Sequence, residues 1–115
     1  MKKTEITIFT LLFACAISAF AGIGTVSVTT SETQVLPAKA DRRWLVLQNN
    51  STNDIYVKLD SSTNSVTTTN GVKVAANGGT ISITAAGANP ARNTITAISA
   101  SGTNALSYQE GNEGQ

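Results

Sequence analysis

Histidine is absent from the 115 residues, and cysteine occurs once, at Cys15. The first absence removes the side chain most often used as a general base near neutral pH and the commonest neutral metal ligand. The second excludes a disulfide framework or a thiolate zinc site built within one chain. Charge is sparse as well: Asp, Glu, Lys and Arg make up 13% of the chain and sum to +1. There is no basic surplus to neutralise phosphates, which weighs against binding of nucleic acid driven by net charge. Aromatic residues amount to 5%, and all three phenylalanines (Phe9, Phe13 and Phe20) fall within the first 21 residues. Beyond that point no stretch repeats apolar residues at i, i+3, i+4 and i+7, so the sequence predicts no helix there.

The first 21 residues read as a unit of their own. Met1-Lys2-Lys3 is a positive start, Ile6 to Ile17 is an almost unbroken apolar run, and Ala19-Phe20-Ala21 is a small-x-small ending. That is the pattern of a secretory signal, a hydrophobic helix cut after Ala21. The alternative is a membrane anchor, although the run is short for a span and Gly22-Ile23-Gly24 carries no positive stop-transfer cluster. A lipoprotein site at Leu12-Phe13-Ala14-Cys15 fits less well, because the apolar run continues past the cysteine, and a pilin-type start lacks the required glycine before Glu5. Cleavage removes Lys2, Lys3 and Glu5 and leaves a neutral chain with Trp44, Tyr56 and Tyr108 as its aromatics. The membrane enters only through residues 1–21, if they stay attached.

What remains is punctuated by turns and alternates with period two. The strongest stretch is residues 42 to 59, where Leu45 and Leu47 share one face, Ile55, Val57 and Leu59 share another, and a polar Asn49-to-Asp54 link lies between. It predicts a β-hairpin at the centre of the core. Further strands are expected at 24–30, 33–36, 66–69, 72–74, 80–84, 93–99 and 105–109, with Asn70-Gly71 as a tight hairpin turn and Asn77-Gly78-Gly79 as a second turn. Residues 60–65 and 85–91 read as loops and 110–115 as a flexible tail. Ile95 and Ile98 have opposite parity, which calls for a bulge or a second apolar face. The expected fold is all-β: a small antiparallel β-sandwich or jelly-roll-like domain of seven to nine short strands over 22–109. An echo at an offset of 51 lays Leu47–Val57 over Ile98–Tyr108 and raises the question of duplication.

Such a domain has a core of valine, leucine and isoleucine and no covalent staple, which makes it marginal on its own. Association with copies of itself or with a larger assembly is a source of added stability. The most concentrated functional-looking cluster is Arg42-Arg43-Trp44, joined by Tyr56 as a partner-binding set. In the competing reading the arginines pair with Asp41, Asp54 or Asp60 while Trp44 packs on the sheet. Those three aspartates sit at loop edges without the spacing of a calcium loop, and no base stands ready to activate a serine or threonine. The sequence therefore points to no enzyme, no metal and no cofactor.

The run from Leu36-Pro37-Ala38 through Arg42-Arg43, Leu45-Val46-Leu47-Gln48-Asn49 and Asp54-Ile55-Tyr56-Val57 resembles a family of small structural proteins of tailed phages and prophages. Gly71-Val72-Lys73-Val74, Gly78-Gly79 and Ile95 to Thr103 are similar to the same family's later strands. The resemblance spans residues 24 to 109. It implies a compact β-sandwich serving without catalysis in a virion, as a capsid decoration or a minor head or tail component, with itself or capsid and tail proteins as partners. The signal-like segment departs from that pattern and admits an exported relative. The rival expectation is a secreted bacterial module recognising carbohydrate or another surface polymer. The two differ in where the aromatics lie: an exposed coplanar strip serves a binding module, and buried aromatics with a flat, weakly charged outer face serve an assembly subunit.

Overall fold

The computed structural model describes residues 22–84 and 92–112. The expected signal-like helix, the 85–91 loop and the last three residues lie outside the described residues. Among the described residues, eight strands form two four-stranded antiparallel sheets. The strands are β1 (Gly22–Val28), β2 (Thr33–Leu36), β3 (Trp44–Asn49), β4 (Ile55–Lys58), β5 (Val72–Val74), β6 (Gly79–Thr84), β7 (Ile95–Ser99) and β8 (Asn104–Gly111). The front sheet runs β1-β8-β3-β6 and the back sheet β2-β7-β4-β5.

Alternation fixes which side chains face inward. Leu45 and Leu47 from the front and Ile55 and Val57 from the back are fully buried, and Ile95 and Leu106 join them. Each such side chain contributes about 1.5–3 kcal/mol on burial. β7 is regular, burying Ile95, Ala97 and Ser99 while Ile98 faces out, so the opposite parity of the two isoleucines reflects two faces. The bulge sits across from it, in β2, where the register shifts between Gln34 and Leu36.

Four expectations are corrected. The 42–59 stretch is not a hairpin, because β3 belongs to the front sheet and β4 to the back. Its polar link crosses the roughly 10 Å between packed sheets. Parity cannot distinguish the two arrangements, since Leu45, Leu47, Ile55 and Val57 point into the core in either one. Residues 66–69 form no strand: Val66 is buried and the chain turns over 68–70, with Asn70 Oδ1 accepting from Thr67 N at 2.7 Å. Asn70-Gly71 is not the left-handed pair. That conformation falls at Asn77 and Gly78, with φ of 63° and 109°, and at Gly102. Finally, residues 110 and 111 are not tail but the end of β8, with Glu110 buried.

All four links β1–β2, β7–β8, β3–β4 and β5–β6 are arches between sheets, and they stack side by side at one end. Backbone bonds tie them in that order: Ser99 N donates to Thr29 O (2.8 Å), Ala100 N to Asp54 O (3.0 Å), and Asn77 N to Ser51 O (2.8 Å). Two buried asparagines hold the turns. Asn49 donates from Nδ2 to Asn53 O and Val74 O, both at 2.8 Å, and accepts at Oδ1 from Ser51 N and Ser51 Oγ. Asn104 Nδ2 donates to Ser99 Oγ and Ser101 O, while its Oδ1 accepts from Asn53. Both asparagines stand at the front-sheet foot of their arches, one ending β3 and one starting β8. The offset of 51 aligns Asn49 with Ala100 instead, so the echo lays two neighbouring arches of opposite direction over each other without matching their buried asparagines.

Replacing Asn49 by Ala removes the side-chain donor to the buried Val74 carbonyl, one of two donors to Asn53 O and the acceptor of Ser51. The expected loss is about 2–4 kcal/mol in a urea denaturation curve. The exposed neighbour Asn50→Ala should stay within about 0.5 kcal/mol.

Candidate functional site

Arg42 lies at the end of the sandwich opposite the arches and is 0% exposed. Its Nε donates to Glu110 Oε1 at 2.6 Å, Nη1 to Asn93 O at 3.2 Å and Nη2 to Pro37 O at 2.8 Å. One guanidinium thus joins β8, the chain leaving β2 and the chain entering β7. Its acidic partner is Glu110, not the aspartates. Asp54 instead accepts from Ala76 N at 2.9 Å and lies 3.7 Å from Lys73 Nζ, and Asp60 accepts from Ser62 N and Oγ.

Glycines make the room that this end requires. A Cβ on Gly22 would lie 2.9 Å from Glu110 Oε2, and one on Gly24 would lie 2.9 Å from the Tyr108 hydroxyl oxygen. Each glycine stands directly opposite the residue it accommodates, Gly22 facing Glu110 and Gly24 facing Tyr108. On the outer side, Trp44 pairs with Gly111, and a Cβ there would fall 2.6 Å from Trp44 Cζ2. Two large inward side chains and one outward indole therefore rest on bare backbone of the adjoining strand.

The four residues singled out in the sequence do not converge. Arg42 is internal. Arg43 is half-buried and its backbone N donates to Gly111 O at 2.8 Å. Trp44 is half-buried on the outer face of the front sheet. Tyr56 is on the outer face of the back sheet, half-buried between Ile98 and Lys73 and next to the 66–71 turn, where a Cβ on Gly71 would lie 2.8 Å from Tyr56 Cβ. With Tyr108 turned inward, the three aromatics are divided between the two outer faces and the core.

The two outer faces differ in chemistry. Glu110, which is buried, is the single charged residue in the four front-sheet strands. Rows of Ser82-Val46-Gln109-Ile23 and Thr80-Gln48-Ser107-Thr25 cross the front sheet. Ile23 is 73% exposed, beside a depression of about 380 Å³ lined by Val46, Gln48, Ser107 and Gln109. The back face carries Lys58 and Lys73, and Glu32 beside it accepts from Thr96 Oγ1 at 2.8 Å. The Thr96 hydroxyl holds the Glu32 carboxyl below its usual range; burial opposes this, and Val66 N, Ser65 and Lys58 assist in smaller measure. That contribution is present above the ordinary carboxylate range and is lost as pH falls through the lowered value. A back-sheet cleft of about 310 Å³ has one carboxylate, Asp60, with Lys58, Ser62, Asn64 and Asn70 around it. Among the described residues no group of three or more His, Cys, Asp or Glu side chains is placed to hold a metal ion.

No protein-family model, curated protein or solved structure matches this chain. Glu110 was missed in the sequence, although it continues the alternation of Leu106 and Tyr108 and is the carboxylate nearest in parity to an inward position.

Arg42→Met takes the guanidinium away from the buried Glu110 carboxylate and should cost about 3–5 kcal/mol, whereas Arg42→Met with Glu110→Leu should recover most of that loss. Gly111→Val should dislodge the indole, seen as a red shift of Trp44 fluorescence with the fold retained by circular dichroism.

Proposed function

We propose that this protein is a non-catalytic structural subunit that builds an assembly through its front sheet, in a phage or prophage virion as a capsid decoration or minor head or tail component. The observation that carries this reading is the contrast between the edges of the two sheets. Edge strands expose unpaired N–H and C=O groups and are ordinarily blunted by shortness, charge, proline or a bulge. The back sheet uses all four devices. β2 has four residues, a register shift and Pro37 after it, and β5 has three residues centred on Lys73. The front sheet uses none of them: β1 has seven residues and β6 has six, without charge or proline.

The strand order adds support. β1-β8-β3-β6 facing β2-β7-β4-β5 is the arrangement of a jelly roll, a fold used by viral capsid domains and also by lectins. Placement of Trp44 and Tyr56 on opposite outer faces, with Tyr108 turned inward, weighs against the carbohydrate-binding alternative, which stacks sugars on coplanar exposed rings. Export fits this reading when residues 1–21 are removed after Ala21, leaving β1 as the start of the working chain.

The test is self-association of residues 22–115, followed by light scattering across a concentration series. The expected result is a defined oligomer. Thr25→Lys or Ser82→Lys, on the outer side of β1 and β6, should weaken it roughly tenfold or more, and Gln34→Lys on β2 should leave it intact. A chain that stays monomeric at every soluble concentration contradicts homo-assembly.

A further inference from the structure

Gly22 is both the first residue of β1 and the residue directly opposite Glu110. The Glu110 carboxylate fills the place where a side chain on residue 22 would stand, with Oε2 2.9 Å and Cγ 3.4 Å from that position. Its other oxygen, Oε1, accepts from Arg42 Nε at 2.6 Å, and the residue is 8% exposed. The nitrogen of Gly22 is bonded to the same Cα, so ordinary bond lengths place it within about 5 Å of Oε2. While Gly22 is joined to Ala21, that nitrogen is a neutral amide.

We propose that the Ala21–Gly22 bond is a maturation site whose product is structural: the new α-ammonium of Gly22 becomes the second cation on Glu110, giving an Arg42–Glu110–Gly22 ion triad. The inference rests on the reading that the chain is processed after Ala21. Hydrolysis by a host peptidase adds one water across the peptide bond. The hydroxyl goes to the Ala21 carbonyl carbon, which leaves as a carboxylate, and the freed Gly22 nitrogen keeps its lone pair and takes protons. An α-amino group is largely protonated at pH 7, and its three N–H groups can rotate toward Oε2. A charge-assisted hydrogen bond at a mostly buried carboxylate is stronger than a neutral one. The triad accounts for glycine at position 22, where any side chain would meet the carboxylate, and it fastens the first residue of an edge strand. A leader still attached leaves β1 without that anchor, so cleavage and completion of the front sheet are coupled.

The described fold lies wholly within 22–112, so the test uses residues 22–115 released with a free Gly22 amine, compared with the same chain acetylated at that amine. At pH 7 the acetylated chain should melt about 4 °C or more lower. Introducing Glu110→Gln in both should erase the difference. Where Glu110→Gln does not fold, the labelling rate of the α-amine by an amine-selective reagent serves instead, expected several-fold slower in the folded chain than in a Gly-Ile-Gly peptide. Equal melting temperatures with peptide-like labelling overturn the triad, even if the chain self-associates. A monomeric chain that nevertheless shows the acetylation effect keeps the triad and sinks the assembly reading.

Discussion

The buried pair of Arg42 and Glu110 is the constraint on which one end of this sandwich depends. Removing both charges from water is expensive, and the geometry repays it only if the remaining donors are also satisfied. Here the guanidinium spends its other nitrogens on the carbonyls of Pro37 and Asn93. Three chain segments that enter or leave different strands are thereby pinned to one group. The pair also dictates composition around it, since the carboxylate needs the space that Gly22 leaves.

A second polar structure closes the opposite end. Asn49 and Asn104 each stand where a front-sheet strand meets an arch, and each converts a side-chain amide into bonds the backbone would make in a continuous ladder. Between these two ends lies a core of leucine, isoleucine and valine without a disulfide. Buried polar groups of this kind specify position because an alternative register leaves them unsatisfied. The chain thus obtains a unique arrangement from a handful of polar side chains, while its apolar residues supply the bulk of the burial.

Legibility in the sequence followed the same division. Inward positions at Leu45, Leu47, Ile55 and Val57 could be read directly, because alternation is a local property. Which sheet each strand joins could not, because a hairpin and an arch present the same parity, and the difference lies in long-range bonds such as Asn49 to Val74. Arg42 looked like surface chemistry beside Arg43 and Trp44, since its partner is 68 residues away in what reads as a polar tail. Asn70-Gly71 carries the strongest turn dipeptide, yet the side chain of Asn70 bonds Thr67 N and Ser65 O, and the left-handed turn falls at Asn77-Gly78. The glycines opposite Glu110, Tyr108 and Trp44 acquire meaning only once the strand pairing is known.

The proposed assembly requires a front sheet that continues into another molecule and a back sheet that stops. Amide hydrogen exchange, followed residue by residue at low and high protein concentration, tests that directly. The account predicts protection that rises with concentration in β1 or β6, with β2 and β5 unchanged. Protection independent of concentration, or arising in β2 and β5, would contradict it.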